Sequence, residues 1–234
     1  MSTTAVELKF PTREEFEALA KQEMEKMFDK VPYAREFNMG QAIDQEYYKR
    51  HLMETIIRIG LNNEVDSYSL YKIGYKDNLL AQKLAQYLAE EFGHDSLFLH
   101  DLKKFGVSEA ELRATKPFFT TEMLIGYIYY SINQDGPIPT MVWNWFVEWY
   151  SDNYNKNITQ KAGEVYGKEK TKGMQGHLDV DDDEDHVGLM FGTIVAAMKV
   201  EGDGEKAQQY LKNFINLIGM YFQELYDNTI GARA

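Results

Sequence analysis

The chain has 234 residues, 44% of them hydrophobic and 14% aromatic, which is enough for one substantial core and argues against extended disorder. A formal charge of -12 at pH 7 excludes general binding to nucleic acid or to an anionic membrane, because both reward basic surfaces. The absence of cysteine excludes disulfides, thiolate nucleophiles and Cys-ligated metal centres, and leaves metal chemistry open through His and carboxylates.

Residues 1–10 read as a flexible tail without the basic and apolar regions of a secretion signal, and no stretch is apolar for long enough to span a bilayer. A cytoplasmic protein of one domain over 1–234 is expected. Thr12, with Glu15 three residues on, forms a capping-box pattern that opens a first helix to about Asp29. From about Ala42, apolar residues at three- and four-residue steps, among them Leu52, Ile56 and Ile59, predict one long helix, or two interrupted at Gly60 or Gly74. A third helix is expected from about Asn78 to Lys104, stopped at Gly106, with Ser108 and Glu111 opening a short connecting helix.

A further helix over 119–133 ends at the breaker Asn133 to Pro139, and the next starts near Thr140 and carries Trp143, Trp145, Phe146, Trp149 and Tyr150. The polar stretch 151–176 reads as a loop or mobile helix. Two last helices are expected over 178–200 and 204–227, separated by Gly202-Asp203-Gly204. No strand-like alternation stands out, so the fold class is all-α.

Glu91 and His94 lie three residues apart, about 300° of helical turn, so on one continuous helix they share nearly one face. This Glu-x-x-His spacing belongs to carboxylate-bridged di-iron bundles, where other helices add two Glu and a second acidic-x-x-His. Partners follow in order: Glu54, Glu148, and Asp183 with His186. Glu148 sits among three tryptophans, and a desolvated carboxylate there calls for a cation. The acidic run Asp179 to Asp185 reads equally as a solvated helix start, and it does not match an EF-hand loop. His51 reads as an outer or surface residue, and His100, six residues past His94, as structural.

Over residues 45–200 these motifs, above all Glu90-Glu91-Phe92-Gly93-His94-Asp95 through Leu102 and the turn Gly106-Val107-Ser108, resemble the haem-oxygenase-like di-iron oxidases and oxygenases, related in fold to haem oxygenase and thiaminase II. The resemblance implies a haem-oxygenase-like bundle of about seven to nine helices, two Fe(II) ions, O2 as co-substrate, an external electron donor and a homodimer. It implies the ligands Glu54, Glu91, His94, Glu148, Asp179, Asp183 and His186. Glu64 competes with Glu54. The family's His-x-x-x-Asp-x-x-His cluster lacks its first His here, so Asp179, His177 or Asp182 takes that place. Neither the proximal His of haem oxygenase nor the Cys of thiaminase II has a counterpart: no His precedes His51, and Cys is absent.

The resemblance further implies oxidation of a small molecule, here read as amino-acid-derived, by N-oxygenation, desaturation, C–C scission or ring closure, as in natural-product biosynthesis. Tyr127, Tyr130, Trp145 and Trp149 are candidates for the substrate pocket, although such a stripe also suits a core. Arg58 either anchors a substrate carboxylate or pairs with Glu54 one turn away. Two alternatives stand beside this reading: a ferritin-like di-iron protein, and a metal-free helical binding module in which Lys or Arg neutralises Glu148.

Overall fold

The structure is a computed structural model and describes residues 10–181 and 185–233. Helix α1 (Arg13–Lys30) opens on the expected capping box: Thr12 Oγ1 accepts from Glu15 N–H at 3.2 Å, and Glu15 Oε2 accepts from Thr12 N–H at 3.0 Å. A short α2 (Pro32–Asn38) leads to α3 (Gln45–Ile73), whose 29 residues span about 43 Å at 1.5 Å per residue. It runs through Gly60 without a break, and Asp44 caps its start.

The helix expected over 78–104 is two helices, α4 (Asn78–Glu91) and α5 (Asp95–Lys104). Phe92 is extended and Gly93 takes φ +99, a left-handed conformation that a residue with a Cβ rarely adopts, so the chain turns between Glu91 and His94. α6 (Glu109–Ala114) and α7 (Phe119–Asp135) follow, and Gly136 at φ +71 with Pro137 redirects the chain into α8 (Ile138–Tyr150).

The polar stretch after Tyr150 is helical, beginning with a π-type turn at Ser151–Asn155 and continuing through α9 (Lys156–Tyr166) and α10 (Lys172–Asp181). α11 (His186–Ala197) and α12 (Asp203–Asn228) complete the fold. The described residues form twelve α-helices and no strand; the excess over the expected seven to nine comes from breaks such as the one at Gly93 and from helices in 151–176. No described helix is long and apolar enough to cross a membrane.

α8 is the centre of the bundle. Its sequence is apolar almost all round, which suits a helix buried on every side, and it packs against α3, α7, α11 and α12. Trp145 and Trp149 stack with ring centroids 6.0 Å apart, and Phe16 of α1 meets Trp145 edge-on at 4.7 Å. α1 lies along α12, where Gly219 admits the Met27 side chain: a Cβ there would stand 2.8 Å from it.

Candidate metal centre

A cavity enclosing about 1030 Å³ of empty space, its mouth included, lies between α3 and α8. α3 lines it with His51, Thr55, Arg58, Asn62 and Asp66, steps of four, three, four and four that keep one helical face turned inward. Tyr87 and Glu91 of α4, Asn144 and Glu148 of α8, and His177 of α10 form one end.

At that end the acids and imidazoles stand as two pairs. His94 Nδ1 lies 3.4 Å from Glu91 Oε2, and His186 Nδ1 lies 3.8 Å from Glu148 Oε2. Tyr87 links the pairs: its hydroxyl donates to Glu148 Oε1 at 2.8 Å, and burial together with the negative charges of Glu148, Glu91 and Asp66 holds its phenol well above the usual tyrosine range. The His177 ring stands edge-on to His94 with centroids 4.9 Å apart and packs on Phe98.

Helix packing delivers these groups. Asp101 on α5 accepts from the N–H groups of Gly173 and Met174, each at 2.8 Å, which satisfies two donors at the start of α10. A Cβ on Gly173 would stand 1.9 Å from the Leu97 carbonyl oxygen, so only glycine lets α10 come this close. Asp185 caps α11 through Gly188 N–H at 2.8 Å and is held to α1 by Arg13 at 2.8 Å, which sets His186 at the helix start.

Asp66 accepts from Asn144 Nδ2 at 3.0 Å, and burial, with the charge of Glu91 adding to it, pushes its carboxyl up to about 7. Neither Glu91 nor Asp66 meets a Lys or Arg within 4 Å among the described residues. Acidic groups so placed are stable only as proton carriers or against a cation, and a set of carboxylates and imidazoles is a hard, iron-compatible donor set. The residues therefore fit iron. Among the described residues no three of these side chains already converge on one metal position.

The sequence-based ligand set is redrawn in part. Glu91, His94, Glu148 and His186 come together as two pairs. Glu54 does not join them: it is wholly buried, its Oε1 binds Arg50 and the N–H of Phe118 at 2.9 Å, and its Oε2 accepts from Thr121 at 2.7 Å. Its competitor Glu64 is exposed; the acid that α3 brings to the cavity is Asp66. Asp182 and Asp183 lie outside the described residues, and Asp179 is described only as backbone of α10. His51 is buried in the cavity wall, where burial first and the Arg58 charge second lower its pKa to about 3, leaving it neutral.

Four proposed pocket aromatics are also displaced. Tyr130 is 62% exposed. Tyr127 packs on Tyr210 and Phe214 and accepts from Asn213, in the α7–α12 seam. Trp145 and Trp149 are core, on the faces of α8 turned from the cavity, which Trp143, Phe146 and Tyr150 line instead. Neighbouring positions on α8 are about 100° apart, so spacing alone did not say which tryptophan faced inward.

A family model described as iron-containing redox enzyme matches residues 62–218, two thirds of the chain. The chain belongs to this family of iron-containing redox enzymes. Its fold is haem-oxygenase-like. A domain of unknown function with a haem-oxygenase-like fold from Shewanella denitrificans superposes with TM-score 0.80 at 16% identity, covering 97% of each chain. A TenA homologue from Pseudomonas syringae pv. tomato gives 0.70 at 12% identity over 95% of this chain and 99% of the other, and a CADD-like protein of unknown function from Nostoc punctiforme 0.67 at 18% over 93% and 99%. Likeness at such identity carries the fold alone. No curated protein sequence matches. The haem-oxygenase-like fold, with twelve α-helices among the described residues, differs from the four-helix bundle of the ferritin-like alternative.

Proposed function

We propose that this protein is a non-haem di-iron oxidase or oxygenase that uses O2 to oxidise a small, amino-acid-derived molecule bound in the α3–α8 cavity. The observation that carries the reading is the pairing of Glu91 with His94 and of Glu148 with His186 around one buried phenol, in a chain of the iron-containing family. Glu91, His94, Glu148 and His186 would hold the metal, with Asp179 and Asp183 completing the shell. When bound, two Fe(II) ions supply the electrons and the binding site for O2 chemistry, and an external donor restores them.

The chain's own residues prepare that site. Tyr87 orients Glu148 by its hydrogen bond, leaving the other carboxylate oxygen toward His186. Asn144 fixes Asp66 beside Glu91. Leu52, Ile59 and Phe146 exclude water from the space where a substrate would lie.

Anaerobic Fe(II) titration followed by an O2 pulse, in the wild type and in Glu148→Ala, tests the proposal. Two irons per chain and a transient visible absorption that is lost in the variant are expected. Failure of the wild type to bind iron would return the metal-free binding module as the better account.

A further inference from the structure

Arg58 stands in the middle of the inward face of α3. Its Nη1 is buried with no hydrogen-bond partner, Nη2 lies 3.4 Å from Thr55 Oγ1, and the guanidinium also interacts with the Tyr221 hydroxyl. No carboxylate lies within 4 Å of it among the described residues; Glu54, the acid one turn away, is engaged by Arg50. The guanidinium carbon sits 4.2 Å above the Tyr221 ring, and the Tyr221 hydroxyl bonds His51 Nδ1 at 2.9 Å, so Arg58 is shelved on a neutral, fixed pair.

A guanidinium does not release its proton, and a buried donor left unpaired is costly, so this arrangement calls for an anion. Among the described residues, those lining the cavity include no Lys and no second Arg, whereas Asp66, Glu91 and Glu148 all line it. Arg58 offers a single positive charge, which one carboxylate neutralises, while the repulsion from the three acids is twice as large for a phosphate dianion. Carboxylate geometry matches the planar guanidinium fork.

Leu52, Ile59, Phe146, Ile218 and Phe222 give the cavity that Arg58 lines an apolar share of its wall. Arg58 and Asp66 are eight residues apart on α3, about 12 Å of helix rise. We propose that Arg58 binds the carboxylate of an organic monoanion whose apolar or aromatic body extends along the cavity toward Glu91 and Glu148. That this molecule is the substrate rests on the oxidase reading; that the cavity binds it does not.

The test is calorimetric and fluorescence titration of metal-free protein with 4-phenylbutyrate and with its uncharged counterpart 4-phenylbutyramide. Saturable binding of the acid, much weaker binding of the amide, a loss of about ten- to hundredfold in Arg58→Gln and partial recovery in Arg58→Lys are expected, with unchanged far-UV circular dichroism. Equal binding of acid and amide, indifference to Arg58→Gln, acid binding that appears only after metal loading, or no saturable binding of either probe at millimolar concentration would overturn it. Fe(II) titration of the same variants separates the two readings: iron binding with no anion preference leaves the oxidase and removes the Arg58 site, and the reverse leaves the site and removes the oxidase.

Discussion

Tyr87 donates its hydroxyl hydrogen to Glu148 Oε1 at 2.8 Å, joining α4 to the buried centre of α8. The bond leaves Glu148 Oε2 on the side of His186. A donor that orients a metal carboxylate acts on affinity more than on the count of ions held. Tyr87→Phe is expected to keep two irons per chain while weakening Fe(II) binding by about ten- to hundredfold, read by anaerobic titration. Unchanged affinity would mean that Glu148 is oriented without its phenol.

Glu54 separates stability from metal binding. It joins α3 to the start of α7 through Phe118 N–H and Thr121 and pairs with Arg50 on its own helix, so Glu54→Ala leaves the Phe118 N–H and the Thr121 hydroxyl buried and unsatisfied and removes the acid that faces Arg50. A destabilisation of about 3–5 kcal/mol in urea denaturation is expected, with iron stoichiometry retained in the folded fraction. Loss of iron from a variant of native stability would return Glu54 to the ligand set.

Gly173 marks where α10 meets α5. A methyl group there meets the Leu97 carbonyl oxygen, so Gly173→Ala should push α10 outward and stretch both bonds to Asp101. About 1–3 kcal/mol of stability should be lost, with faster amide exchange at Gly173 and Met174. Exchange and melting temperature equal to wild type would show that the two helices do not pack this tightly.

Two buried groups set opposing pH slopes in the metal-free protein. His51, lowered to about 3 in the fold from an ordinary 6.5, takes up a proton in the unfolded chain first, so its contribution is full above pH 6.5 and lost as pH falls toward 3. Asp66, raised to about 7 from 3.8, keeps its proton in the fold, so its contribution is full below about pH 4 and lost as pH rises to 7. Between pH 4 and 6.5 the two cancel in large part. Asp66→Asn removes one of them, and urea-denaturation free energies of the variant should then rise with pH by up to about 1.4 kcal/mol per unit in that range. A flat profile in the variant would show that His51 is not held neutral.

The all-helical class and the capping box at Thr12 were legible because each depends on local spacing, whereas Glu91 and His94 stand 3.4 Å apart across a turn and not on the one continuous helix that their spacing implied. The break at Gly93 was not legible, since glycine within a helical pattern is compatible with a turn or with continuation. The choice between Glu54 and Asp66 also escaped the sequence. Both are acids on α3, twelve residues apart, and only the position of Arg50, Phe118 and Thr121 shows which one is occupied elsewhere. The same holds for Arg58, whose pairing with Glu54 is excluded by the competing Arg50 and not by anything in its own spacing.

α3 and α8 are tied along the cavity by two side-chain hydrogen bonds, Trp143 Nε1 to Asn62 Oδ1 at 3.0 Å and Asn144 Nδ2 to Asp66 Oδ1 at 3.0 Å, and His51, Arg58, Val147 and Ser151 of the same two helical stretches also line it. The two helices are thus pinned to each other where Asn62, Asp66, Trp143 and Asn144 meet. Both asparagines also line the cavity, so exchanging Asn62 or Asn144 for a longer or shorter side chain alters the wall and the tie between the helices together.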